Sequence, residues 1–79
     1  MFKTTLYFEA TRVRPDRRFI QDARIERAIR APVREFIQAD GRIRRWTQVS
    51  EVKNRYLRVM LLPDEETVHN AFFDRGFVL

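Results

Sequence analysis

The chain has 79 residues, 16 Lys plus Arg against 11 Asp plus Glu, and 44% hydrophobic residues, which describes one small globular domain over residues 1–79 and not a disordered basic tail. With no Cys, one His and two Gly, it offers no disulfide, no thiolate or common zinc ligand set and no glycine-rich phosphate loop, so no metal and no cofactor is expected. The first residues, MFKTTLYFEATRVR, hold no apolar run longer than three, and no stretch approaches the ~18 apolar residues of a membrane span. A cytoplasmic protein with neither signal peptide nor membrane contact is the expectation.

Residues 3–9 (KTTLYFE) concentrate Thr, Tyr and Phe and predict a strand. Arg14-Pro15-Asp16 marks a break. The next segment, Asp22 to Arg30, reads as a helix: Asp22 is placed to cap it, Ile25, Ala28 and Ile29 share one face, and Ala31-Pro32 stops it. Residues 16–21 leave open whether a second helical turn forms, and Phe19 and Ile20 are expected in the core either way.

After Pro32 the pattern changes. VREFIQA, Asp40-Gly41 and RIRRWTQV read as a hairpin, because Asp-Gly supplies the positive φ of a tight turn. Lys53-Asn54 is a second turn signal. RYLRVMLL (55–62) is the strongest strand, with Leu57, Val59 and Leu61 on one face and Tyr56, Arg58 and Met60 on the other. Pro63-Asp64-Glu65-Glu66 makes the next turn, and TVHNAFF (67–73) is the last strand. The fold class is α+β: an N-terminal strand, one or two helices, then an antiparallel meander of about four strands, with helix covering one sheet face. Imperfect alternation over residues 33–49 does not fix which face stays open.

The basic charge is almost all arginine, 14 Arg to 2 Lys, with a net charge of +5 and a pI near 10.7. Arginine offers a planar five-donor fork suited to phosphates and to stacking on rings. The alternative is a solvated surface, with Arg24, Arg27 and Arg30 on a helix flank and Glu26 paired to Arg30. Within the meander, Arg42, Arg44 and Trp46 point one way, and Tyr56 and Arg58 form another pairwise set. Such residues suit RNA, with arginines on phosphates and Trp46 or Tyr56 stacking a base; the plain alternative keeps both rings in a core.

His69 is the one side chain that ordinarily titrates near neutrality. In RNA cleavage it can carry one proton while an arginine steadies the phosphorane, with Tyr56 or Asp74 sharing the second transfer; otherwise it is a histidine satisfied by a strand neighbour. The acidic turn at 64–66 reads as solvated and not as a metal site, and Ser50 with His69 makes no triad. The run from Asn70 to Phe77 sets three phenylalanines around Asp74-Arg75. It reads as a core-closing strand, with Arg75 held by Asp74 or another acid and available to complete a site at the strand end.

The stretch from Asp40 to Phe77, DGRIRRW followed by NRYLRVMLLPDEETVHNAFFDRGF, resembles the RelE/BrnT-like superfamily of toxin-antitoxin ribonucleases, and the layout of helix, proline and meander extends the likeness back to Asp22. The resemblance implies a small basic α+β domain, a metal-independent endoribonuclease acting on mRNA, with an antitoxin protein masking the site. It places Arg44, Arg58, His69 and Arg75 at positions matching the type and place of such sites. Two departures are that no histidine stands near the first helix, where the sequence reads Arg17-Arg18-Phe19-Ile20, and that lysines are nearly missing. The expectation is therefore a toxin-like RNA-binding protein with Arg42, Arg44, Trp46 and Tyr56 on the nucleic acid and His69, Arg58 and Arg75 at the reaction. The alternatives are a noncatalytic nucleic-acid- or protein-binding module, or a structural homodimer joined by edge strands.

Overall fold

A computed structural model describes residues 2–79. Its elements in chain order are β1 (Lys3–Thr4), α1 (Leu6–Thr11), a 3-10 turn (Pro15–Arg17), α2 (Asp22–Arg30), β2 (Arg34–Ile37), β3 (Ile43–Val49), a second 3-10 turn (Ser50–Val52), β4 (Arg55–Leu61) and β5 (Thr67–Phe73). The five strands form one sheet in the order β1-β5-β4-β3-β2, in which β2 to β5 are an antiparallel meander and β1 adds parallel to β5. The α+β architecture is as expected.

The predicted strand over residues 3–9 is cut short after Thr4. Thr5 is extended, and its hydroxyl accepts the Phe8 N–H at 3.1 Å, which caps a helix instead. Phe8 and Thr11, three residues apart, are then buried together, so helical spacing and a cap overrule the strand preference of Thr, Tyr and Phe. A second difference concerns α2. Its cap position is Gln21, which makes no side-chain cap bond; Asp22 lies inside the first turn and pairs with Arg12. The helix otherwise runs as predicted: Ile25 and Ala28 are fully buried, and Glu26 bonds Arg30 at 2.8 Å. Of the two residues expected in the core before α2, Ile20 is buried but Phe19 is 49% exposed, with the Arg18 guanidinium over its ring.

Both turn signals act through backbone handedness. Gly41 has φ +90°, and Gln38 closes the three-residue hairpin loop by donating its N–H to Arg42 O. Lys53 and Asn54 both adopt left-handed φ, at 52° and 55°, between β3 and β4. The carboxylate of Asp64 braces the β4–β5 turn by accepting the Glu66 and Thr67 N–H groups and the Thr67 hydroxyl.

Both helices lie on one side of the sheet. Ile43, Thr47 and Val49 of β3 and Leu57, Val59 and Leu61 of β4 face them and are buried. On β5, Val68 and Ala71 also reach this core, although their spacing of three cannot keep one face in a regular strand. A bulge resolves this: Met60 pairs with Asn70 while Leu61 pairs with Val68, leaving His69 as the extra residue. Arg45 occupies the same side, where its guanidinium bonds Ile29 O at 3.1 Å, Glu35 at 2.7 Å and Glu65 at 2.9 Å. That arginine ties the end of α2 to β2 and to the β4–β5 turn.

Two outcomes test this account. Gly41→Ala combines the +90° φ with a Cβ 3.2 Å from the Pro63 ring, so the urea midpoint should fall by the equivalent of about 1–3 kcal/mol with an unchanged slope. Asp64 is held below the usual Asp range, first by the Thr67 hydroxyl and then by the Glu66 and Thr67 N–H groups. Its contribution to stability is therefore present above the ordinary Asp pKa and is lost as pH falls through the lowered one. Carbon-detected titration should find its midpoint below 3.8, and Thr67→Val should raise it.

Candidate nucleic-acid interface

The sheet face away from the helices carries the side chains of interest. Strand register places Arg34 opposite Trp46, Trp46 opposite Arg58, and Arg58 opposite Phe72. Directly opposed residues share a face, so these four form one row across β2, β3, β4 and β5, spanning about 14 Å at the usual strand spacing. The row alternates cation and ring. Arg58 lies over Phe72 at 4.2 Å, and Arg17, from the first 3-10 turn, reaches the same ring at 5.6 Å. The next row sets Phe36 opposite Arg44 and Arg44 opposite Met60, with the Arg44 guanidinium 5.8 Å from the Phe36 ring.

Arg34, Arg44 and Arg58 line an open groove of about 430 Å³ together with Phe36, Trp46 and Phe77. Among the described residues, neither Arg34 nor Arg44 has an acid within 4.0 Å; Arg44 instead donates to Gln38 Oε1 at 2.7 Å. Arg58 is the more strained charge. Its pKa is pushed below the ordinary arginine value, first by burial and then by the neighbouring Arg44, with Asp74 opposing. Its Nε is buried with no hydrogen-bond partner, and Asp74 Oδ2 stands 3.8 Å from its Nη1. Asp74 also lines the groove and is the acid that Arg58 faces there.

The C-terminal segment covers part of this face, which corrects the expectation of a core-closing strand continuing to Phe77. The strand ends at Phe73, and Asp74 N–H donates to Tyr56 O at 2.8 Å. Asp74 then accepts the indole N–H of Trp46 at 3.0 Å and the Gly76 N–H at 3.1 Å, which folds the chain back. Phe77 comes to rest flat on Trp46, centroids 4.8 Å apart at 20°, and tilted against Tyr56 at 4.8 Å. Trp46 is thereby only 7% exposed, yet it lies outside the helix-side core. Asp74 serves Trp46 and Arg58 and not Arg75, for which the described residues show no ion pair.

Of the residues singled out from sequence, the fold brings Arg44, Trp46, Tyr56 and Arg58 onto one face. Arg42 lies at the hairpin end of β3, 3.9 Å from Asp40. Arg75 is exposed and lines a shallow depression with Arg17, Arg55 and Phe72 at one end of the row. His69 stands apart. It is three residues, about 10 Å, along β5 from the partner of Arg58. Its Nδ1 is hydrogen-bonded to Thr5 Oγ1 at 3.1 Å and its ring stacks on Tyr7 at 5.0 Å.

Sequence reasoning passed over Arg34 and gave Phe77 no place beside Trp46. The first was legible from the hairpin register, since the Asp40-Gly41 turn sets Arg34 opposite Trp46; the second had no periodic signal. No helix among the described residues is long and apolar enough to cross a membrane. Comparison of the chain with protein-family models, curated proteins and solved structures finds no match.

Trp46→Ala should destabilise the fold by about 3–5 kcal/mol in chemical unfolding, as for a buried aromatic, although the helix-side core is untouched. Asp74→Ala should cost about 1–3 kcal/mol, because it strips the acceptor from the indole and removes the acid that Arg58 faces at 3.8 Å.

Proposed function

We propose that this chain is an RNA-binding protein of the RelE/BrnT-like toxin type, acting in the cytoplasm and gripping a phosphodiester backbone with Arg34, Arg44 and Arg58. The observation that carries the reading is the groove in which, among the described residues, Arg34 and Arg44 have no acidic partner and stand beside a half-buried Arg58 whose Nε lacks a hydrogen-bond partner, with Asp74 on the same wall. Guanidinium groups in this state favour a phosphate, which satisfies several donors at once and neutralises mutual repulsion. The ring–arginine alternation across the sheet supplies apolar surface for bases between the charges. An antitoxin protein covering this face follows from the same resemblance.

The geometry favours binding over cleavage. In-line cleavage needs a proton acceptor within hydrogen-bond reach of the 2′-hydroxyl and a cation on the phosphorane. Arg58 and Arg44 suit the second role. His69, turned toward Thr5 and Tyr7, is not beside them, and Arg75 lines a different depression, which Arg58 does not reach. The reading is thus a noncatalytic grip, with cleavage as the outcome that would replace it.

Fluorescence anisotropy with a labelled 12-nucleotide single-stranded RNA tests this. Three phosphate contacts give a slope of about −2 in log affinity against log salt. Arg44→Ala and Arg58→Ala should each weaken binding across sequences and make that slope shallower by about 0.7. His69→Ala should leave affinity unchanged, and the RNA should stay intact. Absence of salt-dependent retention would reject the reading, whereas RNA cut by wild type and spared by His69→Ala would replace the grip with an active ribonuclease.

A further inference from the structure

We infer that the Trp46–Tyr56 corner of the open face is a nucleobase slot of single-stranded RNA, filled in the free protein by the chain's own Phe77. The inference rests on the RNA-binding reading and names what that site takes beyond phosphate. Phe77 lies flat on the Trp46 indole at 4.8 Å, with Tyr56 against its side and the Arg34 guanidinium 5.7 Å from its centroid. A ring stacked on an indole with a guanidinium close by is an arrangement by which proteins hold an unpaired base.

Asp74 Oδ2 accepts the Trp46 Nε1–H at 3.0 Å and stands 3.8 Å from Arg58 Nη1, so this carboxylate holds the indole in place and the corner offers a base its stacking surface. The phosphate groove of Arg34, Arg44 and Arg58 adjoins this corner and shares Trp46 and Phe77 in its lining. A nucleotide whose phosphate enters the groove therefore brings its base to the position of Phe77.

The occupant is held lightly enough to yield. The segment after Asp74 has no regular structure, the Phe77 N–H reaches Asp74 O only at 3.4 Å, and Val78 and Leu79 beyond it are 82% and 63% exposed. Phe77 and a base then compete for one surface, and RNA affinity is reduced by the fraction of chains in which Phe77 occupies it. Double-stranded RNA, whose bases are already stacked, gains nothing from the slot.

Trp46 is the only tryptophan, so its emission reports the slot directly. The probes are hexauridylate and an RNA hairpin duplex, each titrated into the full chain and into Phe77→Ala. Phe77→Ala should bind hexauridylate about tenfold more tightly than wild type, the equivalent of one base stack, with Trp46 emission quenched at saturation. Duplex affinity should not change. Phe77→Leu, which keeps an apolar cover but removes the flat ring, should lie between the two and serves if Phe77→Ala does not fold. Salt-dependent RNA binding that is equal in all three proteins, with Trp46 emission unmoved, would overturn the slot and leave the arginine groove standing. No RNA binding by any of them would overturn both.

Discussion

The strict alternation of β4 is the constraint from which the other features follow. Leu57, Val59 and Leu61 are fully buried on the helix side, and β4 pairs along its length with β3 on one edge and β5 on the other. A one-residue slip would turn all three into water, so the register of both neighbours is fixed by hydrophobic burial. Once that is settled, Tyr56 and Arg58 must point to the opposite side, and Trp46 and Phe72 must flank Arg58 there. The arginine-aromatic row is thus the reverse side of the core.

A five-stranded sheet with both helices on one side leaves its other face short of cover in a chain this small. The molecule resolves this unevenly. One corner is closed by the turn at Asp74 and the ring of Phe77, which makes a second, minor apolar cluster around Trp46. The rest is left to arginines whose guanidinium groups lie against rings, Arg44 on Phe36 and Arg58 on Phe72. A face built in this way is stable without being neutral, and among the described residues Arg34 and Arg44 on it have no acid within 4.0 Å.

The bulge in β5 shows how packing can separate residues that a linear reading brings together. Burying both Val68 and Ala71 requires an extra residue between paired positions, and His69 is that residue. Regular alternation would have given it a place in a cross-strand pair. Displaced from the ladder, it meets Thr5 and Tyr7 instead, so the same Thr5 hydroxyl joins the cap of α1 to the histidine. The histidine is structurally engaged at the seam between α1 and β5, remote from the arginines.

The elements legible from residue order alone are those whose signals are local and repeated: α2 with its proline stop, the Gly41 hairpin, the turn at Lys53-Asn54, and β4 with its two unlike faces. Period and backbone handedness suffice for these, because they depend on neighbours within a few residues. They also brought Arg42, Arg44 and Trp46 forward as one set and Tyr56 and Arg58 as another, since strand alternation is local. The remaining features depend on packing between distant segments. Whether residues 5–11 were strand or helix turned on what Phe8 and Thr11 could be buried against, and the fate of Phe77 turned on an uncovered indole 31 positions earlier in the chain. Burial is a property of the assembled sheet and helices, and no local pattern of residues encodes where an irregular tail will find it.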